Sequence, residues 1–141
     1  MKKTVNYLKT IFSGMDEIEL EKSCFWECGR ELSKYSIREL NFIHELLQEN
    51  YGNLVVFSLR NLRFMKLFYE KYKEYPSIIS DYPNVTWYMH IIIMKRCRIM
   101  EDCIYFLSLS QLNHYTSCQL ERTIIRLNGK KPKNNDIIKR E

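Results

Sequence analysis

Apolar positions recur at helical spacing along most of this chain. Ile18, Phe25, Cys28, Leu32 and Tyr35 fall near one face of a helix predicted over residues 16–35, with Gly14 and Asp16 at its start. Ser36-Ile37-Arg38-Glu39 has the form of a capping box. The Ser36 hydroxyl can accept an orphan amide of the first turn while Glu39 reaches back to the cap. Leu40, Ile43, Leu46 and Leu47 continue as an apolar stripe, and Gly52 supplies a stop because it tolerates positive φ. Ser58 predicts the cap of a further helix carrying Leu59, Leu62, Met65, Phe68, Tyr69 and Tyr72. That helix should end by Tyr75-Pro76, since the residue before proline avoids the helical region. Thr86 caps a segment from Trp87 to about Arg98 that is apolar nearly all round, the pattern of a buried helix. A helix from about Met100 to Gln111 follows. A second capping box, Thr116-Ser117-Cys118-Gln119, opens a helix with Leu120, Ile124 and Leu127 that Asn128-Gly129 closes.

The stretch Leu54 to Phe57 is too short for periodicity to decide between a strand, a wing-like edge and a buried loop. The pattern therefore predicts an all-α fold of five to six helices, helix-turn-helix-like, with room for a short hairpin or wing near 53–57. A length of 141 residues suits one domain, expected over residues 1–129. Residues 130–141, basic and with Pro132 and Asn134-Asn135, are expected to form a disordered tail.

Composition narrows the functional classes. At 45% apolar residues, with 10 Tyr, 7 Phe and 2 Trp, the chain can build a core. The longest apolar run, Trp87 to Met94, is interrupted by His90 and is too short for a transmembrane helix. Asn6, Lys9 and Thr10 break up what would be the apolar region of a signal peptide behind Met1-Lys2-Lys3. A cytoplasmic protein without a membrane partner is expected. The 5 cysteines are odd in number and argue against a disulfide framework. Cys24 and Cys28 share a helical face, but His44, His90 and His114 are scattered singly, so structural zinc fits poorly. No metal or cofactor is expected. With 4 glycines there is no phosphate-cradling loop, and Ser58 and Ser110 lack nucleophile-elbow glycines, so no catalytic residue is assigned.

Charge is unevenly spread. Residues 126–141 hold six basic and two acidic groups, a balance of +4 out of the total of +5. Residues 16–49 hold nine acids and four bases, a balance of −5, whereas residues 60–73 hold five bases against Glu70 alone. Lys95, Arg96 and Arg98 add a second basic cluster. Two readings compete: a positive face for phosphate, or an acidic helix packed beside a basic one so that the charges serve the fold.

Four segments, in order, resemble the N-terminal domain of the YhcG-type family of PDDEXK nucleases. Phe25-Trp26-Glu27-Cys28-Gly29-Arg30-Glu31-Leu32 is similar to that domain's Tyr-Trp-x-Ile-Gly-(Lys/Arg)-x-Ile pattern. Tyr51-Gly52, then Phe57-Ser58-Leu59-Arg60-Asn61-Leu62 through Met65 and Phe68-Tyr69, resembles its Phe-Gly-x-Gly-Phe-Ser-x-Arg-Asn-Leu-x-x-Met-x-x-Phe-Tyr. Val85-Thr86-Trp87 with His90 is similar to a Leu-(Ser/Thr)-Trp-x-His segment with one extra residue. Tyr105-Phe106, Tyr115-Thr116 and Leu120-Glu121-Arg122 with Ile124 resemble the family's Phe-Tyr, Trp-Ser and Leu-Glu-Arg-x-Ile ending. The connection after Gly52 lacks a second glycine and is two residues longer, Cys103 stands where arginine is common, and Tyr115 replaces tryptophan. The resemblance implies a helical, helix-turn-helix-like domain of unknown function that precedes a nuclease. The acidic residue and (Asp/Glu)-x-Lys that such a nuclease needs for Mg²⁺ are not found here, and the chain is not expected to be an enzyme.

In a helix-turn-helix, residues 37–50 would form the first helix and 58–73 the one entering the groove. Arg60, Asn61 and Arg63 suit base edges, arginine pairing with guanine and asparagine with adenine. Ser58, Lys66, Lys71 and Lys73 complete the candidate DNA-contacting set, the lysines on phosphates. Against this stands a connection longer than the usual three or four residues, and the reading in which Arg60 and Asn61 cap the helix and pair with the acidic helix 16–35. The alternative role is a protein-interaction or dimerisation module, whose partner is a nuclease-domain protein or a second copy of the chain.

Overall fold

A computed structural model describes residues 1–12 and 22–133. Among these are eight α-helices, one 3-10 turn and no strand. The helices are α1 (Lys2–Ile11), α2 (Lys22–Leu32), α3 (Ile37–Tyr51), α4 (Leu59–Tyr72), α5 (Ile78–Asp81), α6 (Trp87–Arg96), α7 (Met100–Asn113) and α8 (Ser117–Arg126), with the 3-10 turn at Val55–Phe57. The all-α class is as the sequence implies, and the helix count is higher. The expected start at Gly14 and Asp16 lies outside the described residues. The hairpin admitted near 53–57 is replaced by the 3-10 turn, in which Phe57 N–H donates to the Leu54 carbonyl at 3.0 Å and the Phe57 ring is buried. None of the helices is long and apolar enough to cross a membrane.

The chain divides into two compact units, Met1–Pro76 and Ser77 onward. In the first, α1 buries Val5 and Leu8 against α2 and α3. The Phe12 ring meets Phe25 and Phe57 at centroid distances of 5.5 and 5.6 Å. The closest packing is α2 along α4, and Gly29 permits it. A Cβ built on Gly29 would lie 2.1 Å from the Met65 carbonyl oxygen, so any side chain would force the two helices apart. Beside this contact Trp26 stands edge-on to Phe68 and Tyr69. Cys28 is fully buried, and burial pushes its thiol far above its ordinary range, so it behaves as a small apolar filler. The Ser36 box forms as predicted: Glu39 N–H donates to Ser36 Oγ at 3.1 Å and Ser36 N–H to Glu39 Oε1 at 2.9 Å.

In the second unit, Met89 to Met94 of α6, His90 included, are all buried, which explains the nearly unbroken apolar run. Thr86 caps α6 through Met89 N–H at 3.2 Å, and Thr116 caps α8 through Gln119 N–H at 3.2 Å. His114 takes the left-handed conformation, φ 51°, that closes α7. Residues 130–133, expected to begin a disordered tail, are described, and Lys131 is tied down. Its N–H donates to Asp102 Oδ1 at 2.8 Å and its ammonium pairs with Glu101 at 2.9 Å. Both carboxylates sit in the first turn of α7, where the helix dipole also favours them. The tail's remaining positions, 134–141, lie outside the described residues.

Candidate nucleic-acid interface

The first unit places α3 and α4 in contact, joined by Gly52 to Ser58. Gly52 ends α3 at φ 78°, its N–H donating to the Gln48 carbonyl at 2.9 Å. The connection is longer than a short helix-turn-helix turn, yet it is tied to α4. Asn61 Nδ2 donates to the Val56 carbonyl at 2.8 Å, and Asn61 N–H donates to Ser58 Oγ at 3.1 Å. Ser58 is therefore the cap of α4. Asn61 braces the turn rather than presenting its amide outward. This is the local order that Ser58-x-x-Asn61 can encode, since each polar group satisfies a backbone partner that would otherwise be left unpaired.

Leu62, Met65, Phe68 and Tyr72 fill the inner face of α4. Arg60, Arg63, Leu67 and Lys71 recur at offsets of three, four and four residues, which places them along the opposite face. Arg60 and Arg63 are exposed, and neither forms an ion pair among the described residues. Arg60 rests its guanidinium over the Phe64 ring, 5.2 Å from the centroid, an arrangement that holds the side chain without consuming its N–H donors. Lys66 is displaced from the candidate set by burial: it is 9% exposed and pairs with Glu70 at 2.5 Å. Lys73 is exposed as the C-terminal cap residue, and Lys71 is half-buried. Of the seven candidates, two arginines share the outward face with Lys71, two residues build the turn, Lys66 is engaged within the helix, and Lys73 stands exposed at its C-terminal cap. The pairing of Arg60 with Phe64 is what the sequence expectations missed; the four-residue spacing between them is the signal that could have revealed it.

The described carboxylates of α2 do not reach these arginines. Glu27 accepts from Arg30 at 2.6 Å and from the Tyr7 hydroxyl at 3.2 Å. The Arg30 hydrogen bond holds the Glu27 carboxyl below its usual range. Burial opposes ionisation of Glu31, but hydrogen bonds from Lys34 at 2.8 Å and the Thr4 hydroxyl at 2.9 Å outweigh it, and the net direction is downward. The Tyr35 hydroxyl also meets Thr4 at 2.6 Å. The acidic helix thus spends its described charge on itself and on α1, not on α4. Glu17, Glu19 and Glu21 lie outside the described residues.

A concavity of about 260 Å³ lies between the end of α3 and the 3-10 turn, lined by His44, Leu47, Leu54, Val55, Phe57 and neighbouring backbone. It is mainly apolar, and Val55 on its rim is 73% exposed. No group of three or more His, Cys, Asp or Glu among the described residues could hold a metal ion.

A family model described as DUF1016 N-terminal domain matches residues 19–128. The match spans the four segments that resemble the N-terminal domain of YhcG-type nucleases. No curated protein and no solved structure matches.

Proposed function

From the premise that the chain belongs to the DUF1016 N-terminal domain family, we propose that it is a DNA-binding, target-recognition module of a YhcG-type nuclease system and carries no catalysis of its own. The observation that supports this is the exposure of Arg60 and Arg63 on the outer face of α4 while the described acids of α2 are engaged elsewhere. An arginine fork offers bidentate donors matched to a guanine edge. The stack on Phe64 restricts the Arg60 side chain before any ligand arrives, which lowers the entropy cost of binding.

Charge reversal tests this reading. In the full chain, Arg60→Glu with Arg63→Glu should weaken duplex binding by about tenfold or more, each bidentate pairing being worth about 1–3 kcal/mol. The oligomeric state, read by light scattering, should not change. Unchanged binding together with altered assembly would favour the second role, a protein-interaction or dimerisation module. Its specific support is the exposure of the apolar side chains of Leu54 and Val55 on the connection that follows α3.

A further inference from the structure

The second unit gathers positive charge at one edge by a backbone device. Gly129 closes α8 with φ 71°, and a Cβ there would lie 2.3 Å from the Arg96 carbonyl oxygen. Only glycine lets the end of α8 press onto the end of α6 in this way. Gly129 is thereby set against the backbone of Arg96 and Cys97, far from it in sequence, and Lys130 follows directly. The chain then runs to the first turn of α7, where Lys131 is held by Asp102 and Glu101. Between the two helix ends lies a concavity of about 330 Å³ lined by Lys95, Arg96, Ile124, Ile125, Asn128 and Gly129.

We propose that this edge, centred on Lys95, Arg96 and Lys130, binds the sugar-phosphate backbone of nucleic acid. Residues 95–133 hold eight basic groups against Glu101, Asp102 and Glu121, a balance of +5. Each of the three acids already has a partner: Arg96 donates to Glu121 at 2.9 Å, and Lys131 serves the other two. The bland account is that Lys95 and Arg96 in the last turn of α6, and Arg126 in that of α8, compensate helix dipoles. Two helix C-termini amount to about one negative charge in total, which is less than the charge of Lys95, Arg122, Lys130 and Lys133 together. Lys95 and Lys130 are exposed, as are Arg122 and Lys133. Cations spread over several positions suit a chain of phosphates; a single small anion would engage only two or three of them. Ile125, 51% exposed and part of the concavity's lining, offers an apolar surface to a sugar ring. The assignment does not depend on α4, because every residue it uses lies in the second unit.

The test uses the full chain, a labelled DNA duplex and fluorescence anisotropy at about 50 and about 200 mM salt. Lys95→Glu with Lys130→Glu should weaken binding by about tenfold or more and flatten the log affinity against log salt slope by about 2, roughly 0.9 for each phosphate no longer neutralised. Arg60→Glu with Arg63→Glu, measured alongside, separates the two surfaces. Weakening by the first pair supports this edge, and weakening by the second pair alone overturns it. Should charge reversal lower the melting temperature, Lys95→Gln with Lys130→Gln removes the same cations without adding acids, and the flattened slope is still expected. A lower melting temperature with unchanged binding overturns the assignment in favour of dipole compensation. Displacement of the duplex by inorganic phosphate at matched ionic strength would mark a small-anion site. Binding to phosphatidylserine vesicles without duplex binding would mark a membrane surface. Either result overturns the nucleic-acid assignment.

Discussion

A methyl group at Gly29 would meet the Met65 carbonyl oxygen at 2.1 Å, and the obstacle is backbone rather than a flexible side chain. Gly29→Ala should therefore destabilise the protein by about 3 kcal/mol, the upper part of the range for overpacking, as read by denaturant unfolding. A change below about 1 kcal/mol would mean that α2 and α4 can separate at little cost. Glu31 permits a prediction with a definite pH direction. Its folded carboxyl titrates below the ordinary value of 4.5, so its contribution to stability is complete above that value. That contribution is lost as pH falls through the lower, folded value. Glu31→Gln should remove this acid-side component, and the melting temperatures of the two proteins should converge as pH falls below 4.5. Parallel melting curves down to the acid limit would deny Glu31 that role.

At the scale of elements, much of the helical punctuation was legible because capping is local chemistry. Ser36, Ser58, Thr86 and Thr116 each accept the N–H expected from residue types within one turn. Gly52 and Gly129 both take positive φ at helix ends, as their positions implied. What escaped the sequence was decided by tertiary packing. Lys2, Lys3, Asn6 and Lys9 disguise α1 as a polar leader, although Val5, Leu8 and Phe12 have helical spacing and form its buried face. Lys66 reads as a surface cation, yet Glu70 one turn later and the neighbouring fold take it out of solvent. Asn61 reads as a base-reading amide, yet the Val56 carbonyl claims it, because a turn of this length needs a brace. A clear consequence follows for Ser58. If its role is to cap α4, Ser58→Ala should cost about 1 kcal/mol of stability and leave the affinity of the folded chain for duplex DNA unaltered. A weaker affinity at unchanged stability would return Ser58 to the DNA-contacting set.

At the scale of the whole molecule, charge and geometry are divided between the units. Residues 1–76 hold twelve bases and eleven acids, a balance of +1, whereas residues 77–141 hold ten bases and six acids, a balance of +4. Non-specific attraction to a polyanion scales with the number of phosphates neutralised, so it should come mainly from the second unit. Arg60 and Arg63 contribute little to that total, and their value lies in the planar fork of the guanidinium. A charge-conserving change isolates that value. Arg60→Lys with Arg63→Lys keeps the net charge at +5 and leaves the second unit untouched. If α4 reads base edges, affinity for a non-specific duplex and its salt slope should stay nearly constant. Discrimination between a preferred duplex, selected from a random library, and the non-specific one should fall by about tenfold for each fork removed, because lysine presents a point charge to a guanine edge. If α4 were only another basic surface, the lysine variant would bind and discriminate as the parent does, and specificity would have to arise from DNA shape or from a partner protein.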